Sequence, residues 1–162
     1  MSGDADKSVK PEILGDRPRD YAGDVSVTEA WRVLEANPRA VLVDVRTQAE
    51  WSFVGLPDLS PLGKQPLLLE WQSFPSMGAN PSFATELAAR LVEELGAEAK
   101  ETPVLFLCRS GARSRSAAVA LTAQGFHAAH NVAGGFEGDL DAERHRGHRN
   151  GWKASGLPWS QG

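Results

Sequence analysis

Residues 105–121 read LFLCRSGARSRSAAVAL and join an apolar run, the only cysteine of the chain and a segment of helical character. The apolar run at residues 103–107 is short and uninterrupted, which is typical of a strand buried on both faces of a parallel sheet. Residues 114–124 place Ala, Val and Leu on one helix face and end before Gly125. The stretch therefore predicts a strand, a tight loop beginning at Cys108, and a helix.

The same alternation of short apolar runs and amphipathic segments fills most of the chain. Strands are predicted at residues 40–45, 66–71, 103–107 and 128–132, and helices at residues 26–37, 48–53, 82–95 and 114–124. The first of these helices begins with SVTE at residues 26–29, which fits a capping box. Strands that alternate with helices predict a three-layer α/β/α fold around a mostly parallel sheet of about five strands.

Composition limits the class of protein. The 162 residues are 41% apolar and 23% charged, which favours one soluble globular domain, expected at residues 24–160. Residues 1–20, rich in charge, Gly and Pro, are predicted to be a flexible tail. The net charge of -4 argues against nucleic-acid and acidic-membrane partners. A single cysteine and a polar, acidic start without a targeting signal favour the cytoplasm, and no metal or organic cofactor is implied.

The residues after Cys108 suit a reactive sulfur better than a structural one. Backbone N–H groups of residues 109–114 can surround the sulfur, and the dipole of the following helix favours negative charge there. Gly111 permits a tight turn, while Arg109 and Arg113 add cationic donors. Such a loop favours the thiolate or an anion carried on the sulfur. The alternative is a small buried Cys108 beside a solvated basic helix face.

The segment CRSGARS at residues 108–114 resembles the active-site loop of rhodanese-type sulfurtransferases, Cys-x-x-Gly-x-Arg-Ser. Four residues separate Cys108 from Arg113, whereas the related phosphatases have five and usually a His before the Cys, where this chain has Leu107. Weaker resemblances follow in order at residues 42–46 (LVDVR), 131–135 (NVAGG) and 151–159 (GWKASGLPW). Together they cover residues 24–159.

This resemblance implies that Cys108 accepts a sulfur atom from a small anionic donor and holds it as a persulfide. The persulfide then passes the sulfur to cyanide or a thiol. Thiosulfate is ranked above mercaptopyruvate as the donor. The resemblance implies that the donor is bound by the rest of the loop, namely Arg109, Ser110, Gly111, Ala112, Arg113 and Ser114. Two alternatives stay open. One is a non-catalytic sulfur-relay or interaction module loaded by a protein partner; the other, disfavoured by the short loop, is a phosphatase or arsenate reductase.

Two charged residues at the end of another predicted strand are candidates for a supporting role. A buried carboxylate such as Asp44 needs polar partners. Asp44 is therefore expected either to organise the active-site loop or pair with Arg46, or to form a structural pair under the sheet. Arg46 either faces the mouth of the pocket, where it would attract anionic donors, or fixes the next turn. Residues 60–80 exceed what a compact core needs and are expected to shape the pocket rim or to contact a partner.

Overall fold

The computed structural model describes residues 10–73 and 78–161. In chain order the strands are β1 (Gly23–Val25), β2 (Val41–Asp44), β3 (Leu56–Pro57), β4 (Leu67–Leu68), β5 (Gln72–Ser73), β6 (Gly78–Ala79), β7 (Val104–Leu107), β8 (Ala129–Val132) and β9 (Trp159–Ser160). The α-helices are α1 (Val27–Ala36), α2 (Gln48–Phe53), α3 (Phe83–Leu95), α4 (Ala112–Thr122) and α5 (Gly151–Ala154). Two 3-10 turns lie at Ser60–Leu62 and Gly96–Glu101.

The central sheet has five strands in the order β1-β8-β7-β2-β4, and every neighbouring pair is parallel. Strand β7 therefore lies in the middle, where both faces and both edges are covered. The register places Asp44 of β2 opposite Leu107 of β7. Because parallel strands end at the same edge, the residue after Leu107, which is Cys108, lies at the edge where ligands bind in such sheets.

Helices cover both faces of this sheet, which confirms the predicted three-layer α/β/α fold. Alternate residues of β7 serve opposite faces: Val104 and Phe106 pack in the core under α3 and α4, whereas Leu105 and Leu107 pack in the core under α1 and α5. All four side chains are fully buried. Cys108 belongs to the α3/α4 side. Among the described residues, no helix is long and apolar enough to cross a membrane.

Two local predictions need correction. Of the strand predicted at residues 66–71, only β4 pairs with β2 as a regular strand. Beyond β4, Leu69 N donates to Asp44 O and Trp71 N donates to Val45 O. The predicted capping box at residues 26–29 is half formed. Ser26 Oγ accepts the Glu29 amide at 3.0 Å, but the Glu29 carboxylate accepts instead from Arg32 and from Glu12 N. A charged guanidinium is a stronger partner than the cap amide, so it takes the carboxylate.

The predicted tail at residues 1–20 is described only in part, because residues 1–9 lie outside the described residues. Beyond them, Glu12 N donates to Glu29 Oε2 at 2.8 Å, and Leu14 forms an antiparallel bridge with Asp24. The segment from Glu12 to Leu14 therefore lies along the start of β1 and α1. Within residues 60–80, the structure describes the 3-10 turn at Ser60–Leu62 and the antiparallel strands β5 and β6, which end at residue 73 and begin at residue 78.

A buried histidine in β8 makes the fold sensitive to acid. His130 is 5% exposed, and burial lowers the pKa of its imidazole to about 4, opposed by the hydrogen bond of Nδ1 with Ala128 O and aided by the charge of Arg17. The unfolded imidazole titrates near 6.5. As the pH falls, the unfolded chain takes up this proton before the folded chain does. The contribution of neutral His130 to the free energy of unfolding is therefore fully present above pH 6.5 and is lost as the pH drops towards 4.

We expect this single group to remove about 3 kcal/mol of unfolding free energy between pH 6.5 and pH 4. His130→Gln, which keeps an N–H donor towards Ala128 O, should flatten this part of the pH dependence. The control is His127→Gln, the same exchange at an exposed position. Urea unfolding across this pH range measures the effect. An equal fall of stability in wild type and His130→Gln would contradict the prediction.

Candidate active site

The loop after β7 places two hydrogen-bond donors on the sulfur of Cys108. Gly111 N and Ser114 Oγ each lie 3.1 Å from Cys108 Sγ, and the cysteine is 1% exposed. Gly111 has φ +122°, a backbone conformation that favours glycine, and α4 begins at the next residue. The turn therefore closes around the sulfur because Gly111 allows it, and the first turn of α4 supplies both its dipole and Ser114.

A second turn, after β8, supports the loop from behind. Phe136 N donates to Cys108 O at 2.8 Å, while Glu137 N and Gly138 N donate to Arg109 O at 3.0 and 3.1 Å. Gly135 precedes them with φ +63°, and a Cβ added there would lie 2.5 Å from Cys108 O. Gly135 of the NVAGG segment is thus required for backbone contact with the cysteine loop, which the sequence resemblance alone did not explain.

Arg113 of the loop is held by a carboxylate from α2. Its Nη1 and Nη2 lie 2.8 and 2.9 Å from the two carboxylate oxygens of Glu50, which sits 63 positions away in sequence. Burial by itself would raise the pKa of Glu50, but hydrogen bonds from Arg113 and Thr47 outweigh it and lower the pKa to about 2. The same pairing raises the pKa of Arg113. The charge of Arg113 is therefore compensated, and its main contact is with Glu50.

Glu50 owes its position to a capping box that the sequence analysis missed. Thr47 Oγ1 accepts from Glu50 N, and the Glu50 carboxylate accepts from Thr47 N, which fixes both at the start of α2. The spacing Thr47 to Glu50 is the signal that predicts such a box. It fixes the carboxylate at the edge of the sheet where Arg113 emerges from α4.

Asp44 and Arg46 form a buried ion pair at the end of β2. Both side chains are fully buried, and Arg46 Nη2 lies 2.7 Å from Asp44 Oδ2. Arg46 also donates to Gly55 O at 2.8 Å and stacks on the Phe136 ring at 4.3 Å. In the described part of the chain neither residue lines the pocket over Cys108. The pair instead connects β2 to the turn behind the cysteine loop, because Phe136 lies in that turn.

The pocket over Cys108 has a volume of about 740 Å³. The predicted site residues on its wall are Cys108, Arg109, Ser110, Ala112 and Arg113. Gly111 and Ser114 are buried beneath it and contact the sulfur. The remaining wall residues were not predicted as site residues from sequence: Thr47, Ala49, Glu50, Val54, Gln72, Glu137 and Arg146.

Two cationic residues give the pocket its exposed positive charge. Arg109 is exposed on its wall, and Arg146 donates through Nη1 to Gly138 O at 2.7 Å. Nothing local in the sequence marks Arg146, which reaches the pocket because the chain after Gly138 turns back towards the cysteine loop. The ring centroids of His145 and His148 lie 6.2 Å apart with the rings tilted by 51°. No group of three metal-ligating side chains occurs among residues 10–73 and 78–161.

Comparison with known proteins agrees with this fold. The family model described as "STR4 middle domain" matches residues 22–162. The crystal structure of Rv0390 from M. tuberculosis superposes with a TM-score of 0.77 at 51% identity, covering 88% of this chain and 99% of that chain. The fold and the loop at Cys108 thus define a rhodanese-like domain. Within that class, this chain belongs to the STR4 middle domain family.

Curated relatives extend the similarity to proteins with and without an assigned activity. An uncharacterized protein, the RP600 homolog of Rickettsia rickettsii, is 36% identical over 132 residues, which is 82% of this chain and 92% of that protein. The chloroplastic thylakoid rhodanese-like protein of Oryza sativa is 30% identical over 94% of this chain but only 28% of its own length. Thiosulfate sulfurtransferase GlpE of Actinobacillus pleuropneumoniae is 27% identical over 83% of this chain and 90% of that protein.

Proposed function

We propose that this protein is a sulfurtransferase in which Cys108 carries the transferred sulfur as a persulfide. The observation that carries the proposal is the pair of donors, Gly111 N and Ser114 Oγ, each 3.1 Å from Cys108 Sγ at the N-terminus of α4. Donors fixed in this way stabilise the Cys108 thiolate before it attacks the sulfur donor, and again when the electron pair returns to Sγ as the persulfide is unloaded. The donor atoms Gly111 N and Ser114 Oγ need not move during the reaction, because the turn at Gly135 holds the loop in place.

The reaction has two displacement steps at sulfur. In the first, the Cys108 thiolate attacks the outer sulfur of thiosulfate, a bond from Sγ to that sulfur forms, and the sulfur–sulfur bond of thiosulfate breaks with release of sulfite. In the second, cyanide or a thiolate attacks the outer sulfur of the persulfide and the electron pair returns to Sγ. The products are thiocyanate or a new persulfide, and no oxidant or metal takes part.

The charges at the pocket support an anionic donor. Arg109 and Arg146 line the wall while Arg113 is paired with Glu50, so the first two are the cations left to attract a sulfonate-like group. In this proposal Arg113 binds the donor indirectly, by fixing the loop amides of residues 109–114. The name of the GlpE relative, which specifies thiosulfate, supports the same donor class. We place the reaction in the cytoplasm, where the single thiol stays reduced.

Intact mass after brief exposure to thiosulfate tests the proposal. We expect the wild-type protein to gain one sulfur atom, to lose it on addition of cyanide, and to show neither change as Cys108→Ser. Absence of a gain with thiosulfate, in folded protein with a free thiol, would overturn the thiosulfate assignment. If a gain then followed exposure to a persulfidated donor protein, the alternative of a sulfur-relay module would replace it.

A further inference from the structure

A chain of hydrogen-bonded polar side chains runs away from the sulfur, buried at Ser114 and Asn131 and half-buried at Asp24. Ser114 Oγ lies 2.5 Å from Asn131 Oδ1, Asn131 Nδ2 donates to Asp24 Oδ1 at 3.0 Å, and Tyr21 Oη donates to the same oxygen at 2.8 Å. Ser114 and Asn131 are 0% and 1% exposed. Neither the loop motif nor the proposed displacement steps use Asn131 or Asp24. A buried network of this kind needs a reason, since apolar residues would pack there without hydrogen bonds to satisfy.

Asp24 decides which way the Asn131 amide points. A carboxylate only accepts hydrogen bonds, so the NH2 group of Asn131 must face Asp24 and the amide oxygen must face Ser114. Among residues 10–73 and 78–161, Ser114 is the one donor to Asn131 Oδ1. Ser114 therefore faces an acceptor on each side, the sulfur of Cys108 and the oxygen of Asn131.

The Ser114 hydroxyl has one hydrogen and cannot donate to both acceptors at once. When Sγ is a thiolate, the charged sulfur attracts this hydrogen and Asn131 Oδ1 is left without its donor. When Sγ is uncharged, as in the thiol or as the inner sulfur of a persulfide, the amide oxygen is the better acceptor and the hydrogen turns to Asn131. The charge on Sγ thus decides whether the Ser114 hydroxyl hydrogen points to Cys108 or to Asn131.

We propose that Asn131 is a positioning residue that competes with Cys108 for the hydrogen of Ser114 and so favours the states in which Sγ carries no charge. This inference rests on the proposed function, since it assigns Asn131 a part in setting the balance between free thiolate and persulfide. Asp24 acts through Asn131 by holding its amide in the required orientation. The negative end of the Asn131 amide dipole points towards Ser114, and it also favours the states in which Sγ carries no charge.

The other charged groups around the sulfur stay constant in the variants that test this. Arg113 and its partner Glu50 approach from α4 and α2, and the Asp44–Arg46 pair lies at the end of β2. Behind Asn131, Tyr21 is close to Asp24 and to Arg115 of α4. Only the acceptor facing Ser114 differs between wild type and Asn131→Leu, apart from the loss of one hydrogen bond to Asp24.

Asn131→Leu keeps the size of the side chain and removes the competing acceptor. We expect the pH at which Cys108 alkylation by iodoacetamide reaches half its maximal rate to fall by about one pH unit. We also expect about tenfold less sulfite to be needed to unload the persulfide, because the free thiolate gains relative to the uncharged inner sulfur. The alkylation measurement needs no sulfur donor, so it tests Asn131 even if thiosulfate fails to load the protein.

The double variant Asp24→Asn with Asn131→Asp exchanges the amide and the carboxylate. It again presents an acceptor to Ser114, and it moves a negative charge closer to the sulfur, so the half-maximal pH should return to the wild-type value or rise above it. His130→Gln, a neighbouring change in β8, should alter stability without moving the half-maximal pH. An unchanged or raised value in folded Asn131→Leu, or a lowered value in the double variant, would overturn the proposal.

Discussion

Cys108→Ser is expected to abolish sulfur transfer, with turnover from thiosulfate to cyanide falling roughly a thousandfold or more. A serine hydroxyl stays protonated near neutral pH and forms no stable counterpart of the persulfide. The fold should persist, because Oγ can accept from Gly111 N and Ser114 Oγ as Sγ does. The loss therefore isolates the chemistry of the sulfur from the packing of a residue that is 1% exposed.

Steady-state release of thiocyanate measures this effect, with thermal unfolding as the check on the fold. Ser116→Ala provides the matched control, since Ser116 is exposed on the same helix and its hydroxyl donates to the helix carbonyl of Ala112. Its turnover should equal that of the wild type. Cys108→Ser that keeps a tenth or more of the wild-type rate would remove Cys108 from the role of sulfur carrier.

Gly135→Ala is expected to have the second largest effect, lowering stability by at least about 3 kcal/mol and sulfur transfer by tenfold or more. Two costs add at this position. The backbone has φ +63°, and the new Cβ would lie 2.5 Å from Cys108 O and 2.6 Å from Arg109 O. These carbonyls belong to backbone, so the cysteine loop itself must shift to relieve the overlap, and the donors on the sulfur shift with it.

Gly156→Ala separates the two costs. Gly156 has φ +75°, close to that of Gly135, but a Cβ there would meet nothing within 4 Å. It should lose about 1 kcal/mol from backbone strain and keep full activity. Urea unfolding and thiocyanate release on both variants provide the comparison. Equal losses of stability and equal activities would show that contact between Gly135 and the cysteine loop does not matter.

Much of the fold follows from patterns that are local in the sequence. The apolar run of β7, the Gly at the turn and the amphipathic α4 each depend on residues close to one another along the chain. The position of Cys108 between them, and its nearness to the amide and hydroxyl of its own loop, need only that local geometry. The predicted strand at residues 66–71 was less accurate, because how far a strand pairs depends on its neighbour.

The partners of the loop could not be predicted in the same way. Arg113 pairs with Glu50 from 63 positions away, and Asn131 meets Asp24 from 107 positions away. From the loop motif, Arg113 was predicted to bind the donor, because the motif shows its charge and not the carboxylate that compensates it. Likewise, Asp44 and Arg46 left two alternatives open until the depth of their burial was known.

The sequence by itself thus determined the α/β class, the strand–loop–helix unit around Cys108 and the chemistry that a thiol at a helix N-terminus favours. The tertiary structure alone decided that Glu50 compensates the charge of Arg113, that Gly135 supports the loop, and that Asn131 lies beside Ser114. The reason is physical. Local preferences act between neighbours along the chain, whereas these contacts arise from the order and register of parallel strands that are joined by long crossovers.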